Sequence, residues 1–155
     1  ISDRASAGLY EDKSGPLVVQ IISKFFTDQQ LRFGVTTHMV PDEPKRIENT
    51  IMSACNKGSD IIVTTGGTGI GPKDITPEVT RKIIDKEIPG IMDFVRLKYG
   101  TDKPKALLSR SIAGVKDKSL IYTLPGSVYA VREYLEEITK TLIHSIYMLH
   151  RLDLH

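Results

Sequence analysis

The strongest candidate for chemistry is a glycine-rich loop that follows a short apolar run. The loop reads GGTGIGPKD over residues 66–74, directly after DIIVTT at residues 60–65. Glycine has no Cβ, so successive backbone N–H groups can turn toward one anion, and threonine hydroxyls can add donors. A bare glycine string can also do no more than reverse the chain. The flanking elements favour phosphate binding, and the predicted binding residues are Thr65, Gly66, Gly67, Thr68 and Gly69.

The order of residues around Lys73 excludes two common nucleotide-binding motifs. A P-loop needs a Lys followed by Ser or Thr after its last glycine, whereas here Lys73 precedes Asp74. The spaced glycines of the dinucleotide-binding fingerprint are also absent from the sequence. Hydrolysis of a nucleoside triphosphate by the P-loop route and hydride transfer are therefore disfavoured.

Two aspartates, Asp42 and Asp74, are candidates for a metal site. Each follows a predicted strand, and a parallel sheet could bring both strand ends together. Two carboxylates facing a polyphosphate suit Mg²⁺, which takes one or two carboxylates together with phosphate oxygens and water. Taken singly, an Asp at such a position is more often a turn or helix-cap residue. The joint placement favours a shared Mg²⁺ site.

These residues must be positioned by alternating helices and strands. Apolar periodicity predicts a helix over about 14–31, a strand over 33–39, a helix from Pro44 that ends near Gly58, and a strand over 60–65. Thr76-Pro77-Glu78 predicts the N-cap and first turn of a further helix. Later segments predict a helix over 91–100, a β-hairpin over 111–124 and a long helix from about Ser127; residues 101–110 stay unassigned.

Alternation of this kind predicts an α/β fold, a three-layer α/β/α sandwich whose mostly parallel sheet carries an antiparallel hairpin at or near one edge. Ligands of such sheets bind beyond the carboxyl ends of the strands. Four segments follow predicted strands and could line one crevice: Ser2-Asp3, Asp42, residues 66–74 and Pro125-Gly126-Ser127.

Composition indicates an ordinary globular chain of 155 residues with a net charge of +2, which gives no electrostatic case for nucleic acid. We expect one domain over residues 1–155. Neither a membrane-spanning run nor a signal-peptide pattern is visible, so the cytoplasm is expected. The single cysteine, Cys55, is predicted to lie in the core. The opening Ile1-Ser2-Asp3 has the character of a strand end, and we expect a first strand that is truncated at the N-terminus.

Several stretches together resemble one family over nearly the whole chain. In chain order they are ISDRASAGLYEDKSGP (1–16), VPDE (40–43), TTGGTGIGPKDITPE (64–78), EIPG (87–90), LSRS (108–111) and LPGS (124–127). This order resembles the molybdopterin adenylyltransferases. The stretch from GGTG to TPE is shared with other molybdopterin-binding domains, whereas SDRAS, DKSGP and PDE narrow the resemblance to the adenylyltransferases.

The resemblance implies a function and a set of roles. Asp42 and Asp74 would hold Mg²⁺ and serve transfer of an adenylyl group from ATP to molybdopterin, with release of pyrophosphate. Substrate binding would fall to Ser2, Asp3, the glycine loop and Pro125-Gly126-Ser127, although Ser127 could serve only as a helix N-cap.

The resemblance also implies a homotrimer, in line with an apolar stripe at Ile146, Leu149 and Leu152, and a molybdenum-insertion enzyme is a possible partner. The alternatives are a non-catalytic molybdopterin-binding protein or oligomeric scaffold of the same fold and, more distantly, another nucleotide or sugar-phosphate enzyme.

Overall fold

The computed structural model describes residues 1–8 and 11–151, except for the side chain of Arg4. Helices and strands are interspersed along these ranges. The helices are α1 (Asp3–Ser6), α2 (Ser14–Asp28), α3 (Pro44–Asn56), α4 (Thr76–Ile83), α5 (Pro89–Gly100) and α6 (Val128–His150), with a 3-10 helix at Pro104–Leu108. The strands are β1 (Ile61–Thr65), β2 (Lys86–Glu87), β3 (Ala113–Lys116) and β4 (Ser119–Leu124).

The four strands form one sheet in the order β1-β4-β3-β2. β1 lies parallel to β4, with Ile61 opposite Leu120 and Thr65 opposite Leu124. The hairpin of β3 and β4 is antiparallel, as is the pair of β3 with the two-residue β2. Because β1 and β4 run in the same direction, their carboxyl ends meet at one edge of the sheet.

Helices cover both faces of this sheet, which confirms the predicted α/β sandwich. On one face, α2, α5 and α6 pack against the side chains of Leu120, Tyr122 and Leu124. On the other face, α3 and α4 pack against Ile121 and Ile62. All six residues of β4 are buried because it is covered on both faces and paired on both sides. Burial also raises the pKa of Tyr122 to about 12.

The predicted strand over 33–39 is wrong. Within the described ranges, residues 32–39 make no backbone hydrogen bond, and Phe33, Val35 and Met39 are 43%, 48% and 50% exposed. A strand needs a hydrogen-bonded neighbour, and alternation of side chains cannot supply one. At the end of this segment, Val40 is buried and its carbonyl accepts the amide of Ser2 at 2.9 Å.

Two details of the helices also differ from the prediction. Thr76 is the first residue of α4 and not its N-cap, since its hydroxyl is used elsewhere and Ile75 takes the cap position. α5 begins at Pro89, two residues before the apolar pattern indicated. By contrast, Gly58 ends α3 with a φ of +79°, as expected, and Ser127 is the N-cap of α6.

The described part of the apolar stripe of α6 is partly covered by the chain itself. Ile143, Ile146 and Leu149 pack against the core on the side of α2, whereas Leu152 lies outside the described residues. Cys55 is half-buried beside the apolar cluster that α3 and α4 form on their face of the sheet, and burial raises the pKa of its thiol. In the part of the chain that the structure describes, no helix combines the length and the apolar character needed to cross a membrane.

Candidate functional site

A cavity of about 900 Å³ opens at the carboxyl ends of β1 and β4. Thr65 and Gly66 reach it from β1, and Pro125 and Gly126 reach it from β4. This is the edge at which a parallel pair of strands is expected to place a ligand. The volume lies in the upper part of the range that small-molecule sites occupy.

The glycine loop forms the floor of the cavity and takes a conformation that favours glycine. Gly66 and Gly67 have φ values of +93° and +64°. The amide of Gly66 donates to Leu124 O at 2.9 Å, and Thr76 Oγ1 donates to Gly66 O at 3.1 Å. A Cβ at Gly67 would overlap Thr76 Oγ1. The loop is therefore held against β4 and α4 in a shape that side chains would disturb.

Asp42 reaches the cavity from the end of the segment before α3. Its Oδ2 accepts the amide of Asp3 at 2.9 Å, and its own amide donates to Asp3 Oδ1 at 2.9 Å. Lys73 Nζ donates to the other oxygen of Asp3 at 2.6 Å. The hydrogen bond from Lys73 and the one from the Asp42 amide hold the pKa of Asp3 below its ordinary value, and Asp3 raises the pKa of Lys73.

Asp74 reaches the same cavity from the far end of the glycine loop. Its Oδ2 accepts the amide of Gly71 at 2.8 Å, and its amide donates to Gly71 O at 3.0 Å. A Cβ at Gly69 would lie 2.8 Å from this oxygen, so the absence of side chains leaves room for the carboxylate. Asp74 thus makes the turn contacts expected of a loop aspartate and also faces the cavity.

The two carboxylates suit a divalent cation whose coordination shell is completed by a bound ligand. In each, Oδ2 is held by a backbone amide, whereas Oδ1 of Asp42 and of Asp74 accepts no hydrogen bond from the described residues. Within residues 1–8 and 11–151, no three His, Cys, Asp or Glu side chains are grouped so that they could hold a metal ion by themselves. Mg²⁺ fits this donor set, because it takes few carboxylates and fills its shell with phosphate oxygens and water.

The start of α2 closes the cavity near the turn after β4. Ser14 Oγ donates to Gly126 O at 2.6 Å, and Asp12 Oδ1 accepts the amides of Ser14 and Gly15, each at 3.0 Å. On the other side of this turn, the amide of Ala130 donates to Ser127 Oγ at 3.1 Å. Asp12, Ser14 and Ser127 all line the cavity, so Ser127 both caps α6 and faces the site.

One part of the cavity wall was not foreseen from the sequence. The 3-10 helix at Pro104–Leu108 and the first turns of α6 form it, with Lys103 and Lys105 as cations at its rim. Lys103 is paired with Glu133, and Tyr134 donates to Ser109 Oγ at 2.8 Å. The only signal in the sequence was the KPK of residues 103–105, which lies in the segment that periodicity left unassigned.

The structure brings the predicted site residues to this one cavity with one exception. Asp3 does not line the cavity; it lies behind Asp42 and binds its amide. The predicted residues that do line it are Ser2, Asp42, Thr65, Gly66, Gly67, Thr68, Gly69, Asp74, Pro125, Gly126 and Ser127.

The chain is similar to known proteins over nearly its whole length. Residues 1–145 match the model of a family described as "Probable molybdopterin binding domain". A molybdopterin adenylyltransferase of Helicobacter pylori (strain J99 / ATCC 700824) is 41% identical over 138 residues, which cover 88% of this chain and 77% of the relative. Gephyrin of Dictyostelium discoideum is 40% identical over 151 residues, which cover 94% of this chain and 21% of gephyrin.

Solved structures show the same fold. A molybdopterin biosynthesis protein from Mycobacterium abscessus superposes with a TM-score of 0.87 at 33% identity, over 97% of this chain and 92% of that protein. At this identity and coverage, the similarity includes the sheet edge where the cavity lies.

Proposed function

The chain belongs to the family of molybdopterin-binding domains, and from this premise we propose that it transfers the adenylyl group of ATP to molybdopterin. Adenylylated molybdopterin and pyrophosphate are the products, in the biosynthesis of the molybdenum cofactor. The observation that carries the proposal is the convergence of Asp42, Asp74 and the glycine loop on one cavity.

The proposed reaction is a single displacement at phosphorus. An oxygen of the terminal phosphate of molybdopterin attacks the α-phosphorus of ATP and forms the new P–O bond. The bond from the α-phosphorus to the bridging oxygen breaks, and its electron pair leaves with pyrophosphate. The attacking phosphate is already an anion, so no base has to remove a proton from it. Because the displacement is direct, no covalent enzyme intermediate is needed, and positioning supplies much of the catalysis.

The protein contributes anion binding and orientation. The amides of Gly67, Thr68 and Gly69 donate no hydrogen bond within the described residues and are available to a substrate phosphate. The hydroxyls of Thr65, Thr68 and Ser127 also line the cavity and are available as further donors. The unshared oxygens of Asp42 and Asp74 would hold Mg²⁺. When bound, Mg²⁺ offsets negative charge on the phosphates. Ser2 keeps α1 in place beside them, since its hydroxyl accepts the amide of Ala5 at 3.3 Å.

The shape of the cavity supports two substrates side by side. One half is built from the glycine loop and the acids, and the other from the 3-10 helix and α6. Lys105, for which the described residues supply no ion-pair partner, gives the second half a cationic group that suits a second phosphorylated substrate. Two halves that meet at the carboxylates would bring the attacking oxygen and the α-phosphorus together there.

We further propose that the protein acts in the cytoplasm as a homotrimer and passes its product to a molybdenum-insertion enzyme. The resemblance described above supports the homotrimer and the downstream partner. Exposed apolar side chains on α5 and the 3-10 helix give a surface that another copy could cover, namely Phe94, Leu97 and Leu107.

The proposal is tested by incubating the protein with molybdopterin, ATP and Mg²⁺ and following pyrophosphate. We expect pyrophosphate release that requires all three additions, together with an AMP-pterin product. Binding of molybdopterin and ATP without pyrophosphate release would instead support the non-catalytic binding or scaffold protein.

A further inference from the structure

Arg110 joins both ends of the glycine loop, although it does not line the cavity. Its Nε donates to Gly69 O at 2.6 Å, and its Nη2 donates to Asp74 O. Its backbone amide donates to Thr68 O at 2.9 Å. One residue thus binds three carbonyls of the segment that carries the amides and the carboxylate of the site.

Arg110 is itself held in place from behind. Arg96 Nη1 donates to Ser111 O at 2.9 Å and to Ser109 O at 3.4 Å, so the carbonyls of the residues before and after Arg110 are both bound to α5. Tyr134 of α6 donates to Ser109 Oγ at 2.8 Å, and Ser109 Oγ bonds to Ser111 Oγ at 3.0 Å. These hydrogen bonds fix the backbone around Arg110, and through Arg110 they connect the glycine loop to α5 and α6.

The guanidinium also pairs with Glu78 in the first turn of α4. This pair does not explain the arrangement, because the Arg110 and Glu78 side chains are 36% and 47% exposed and ion pairs at such exposure contribute little. The carbonyl contacts are the specific feature. Only a planar fork of donors can reach Gly69 O and Asp74 O together, and an ammonium group cannot reproduce that geometry.

We propose that Arg110 is a positioning residue: it fixes the distance between the anion-binding amides and Asp74, and so sets the geometry in which the substrates react. The proposal rests on the proposed function for the nature of the reaction. Small displacements of groups that orient substrates can lower turnover about a hundredfold.

The test compares four variants. Arg110→Gln removes the fork and Arg110→Lys keeps the charge alone. Glu78→Gln removes the ion pair but leaves the carbonyl contacts. Arg81→Gln is the matched control, because Arg81 pairs with Glu87 on the surface at 3.4 Å and touches none of the loop. Each variant is measured for kcat, KM, thermal midpoint and amide hydrogen exchange.

The exchange measurement is independent of activity. The amide of Gly71 is protected by Asp74 Oδ2 and the amide of Asp74 by Gly71 O. In Arg110→Gln we expect both amides to exchange about tenfold faster or more, because the turn opens more often when its anchor is lost. In Glu78→Gln and Arg81→Gln we expect exchange as in the wild type.

For turnover we expect Arg110→Gln to lower kcat by about ten- to a hundredfold with KM changed less than about threefold. Arg110→Lys should recover only part of this loss, and both control variants should keep kcat within about twofold. Wild-type exchange or wild-type kcat in folded Arg110→Gln would overturn the proposal, as would full recovery by Lys or an equal loss in Glu78→Gln. If the wild type itself transfers no adenylyl group, the proposed function fails, and exchange alone still decides whether Arg110 holds the loop.

Discussion

Asp42 and Asp74 use their two carboxylate oxygens differently. In each, one oxygen accepts a backbone amide, from Asp3 or from Gly71, and this bond fixes the direction of the side chain. The other oxygen is left for a ligand. A turn aspartate and a metal-binding aspartate are therefore compatible roles for the same residue, which is why the sequence alone left both readings open.

Asp74→Asn tests the role of the carboxylate without disturbing the turn. The amide oxygen of Asn can still accept the Gly71 amide, so we expect the thermal midpoint to change little. Loss of the charge should lower turnover by about a thousandfold or more, as expected for a group that supports charge stabilisation at the reacting phosphate. Asp28→Asn, at the exposed end of α2, is the control and should keep full activity. Full activity in Asp74→Asn would remove Asp74 from the mechanism.

The ion pair between Lys73 and Asp3 has a defined pH dependence. Lys73 and the Asp42 amide hold the pKa of Asp3 below its ordinary value of 3.8. Because the pKa is lowered by folding, the pair stabilises the fold above about pH 3.8 and this contribution is lost as the pH falls through the lowered pKa.

A carboxylate titration by NMR measures this directly. We expect the midpoint of Asp3 to lie below 3.8 in the wild type and to rise toward 3.8 in Lys73→Gln. Lys82→Gln, on α4, is the control and should leave the midpoint unchanged. A wild-type midpoint at or above 3.8 would show that the pair does not form in solution.

At the level of the elements, sequence patterns predicted those helices, strands and turns that depend only on residues close together in the chain. The strand β1, the glycine loop and the start of α4 lie within about twenty residues of each other and were predicted together, as was the N-cap of α6 at Ser127. The segment over 33–39 was mispredicted because pairing depends on a neighbour that periodicity does not reveal. The 3-10 helix was missed because the contacts around it involve other helices and are not visible in the local sequence. The segment that follows it is bound by Arg96 and Tyr134.

Two glycines with positive φ test whether the loop needs its shape. Gly58 and Gly67 have φ values of +79° and +64°, but a Cβ at Gly58 would meet open space, whereas one at Gly67 would overlap Thr76 Oγ1. Gly58→Ala should therefore cost only the strain of the left-handed backbone, about 1 kcal/mol of unfolding free energy.

Gly67→Ala adds the displacement of Thr76 to the same strain. We expect a loss of about 2 kcal/mol or more in unfolding free energy, and at least about tenfold weaker binding of ATP. Urea unfolding and calorimetric titration measure both quantities. Equal effects of the two substitutions on ATP binding would show that the loop is not part of the nucleotide site.

At the level of the whole molecule, most of the apolar surface that suggested self-association is used internally. Ile146 and Leu149 are partly buried against the core, so these two residues of the stripe on α6 leave little apolar surface for contact with another copy. The exposed Phe94 and Leu97 of α5 take its place. The extent of the domain over residues 1–155 and the trimer both remain predictions.

Light scattering after size-exclusion chromatography tests the oligomeric state. We expect a particle of three chains at micromolar concentration, because apolar residues such as Phe94 and Leu97 gain from burial between copies. A particle with the mass of one chain under the same conditions would contradict the trimer.

We propose that Asp42, Asp74 and the glycine loop form one site that transfers an adenylyl group. This transfer can be followed with ATP that is radioactive at the α-phosphorus, in the presence of molybdopterin and Mg²⁺. We expect the label to move to the pterin in the wild type and to stay on the nucleotide in Asp74→Asn. A wild-type protein that binds both substrates and leaves the label on ATP would show that the site does not transfer the adenylyl group.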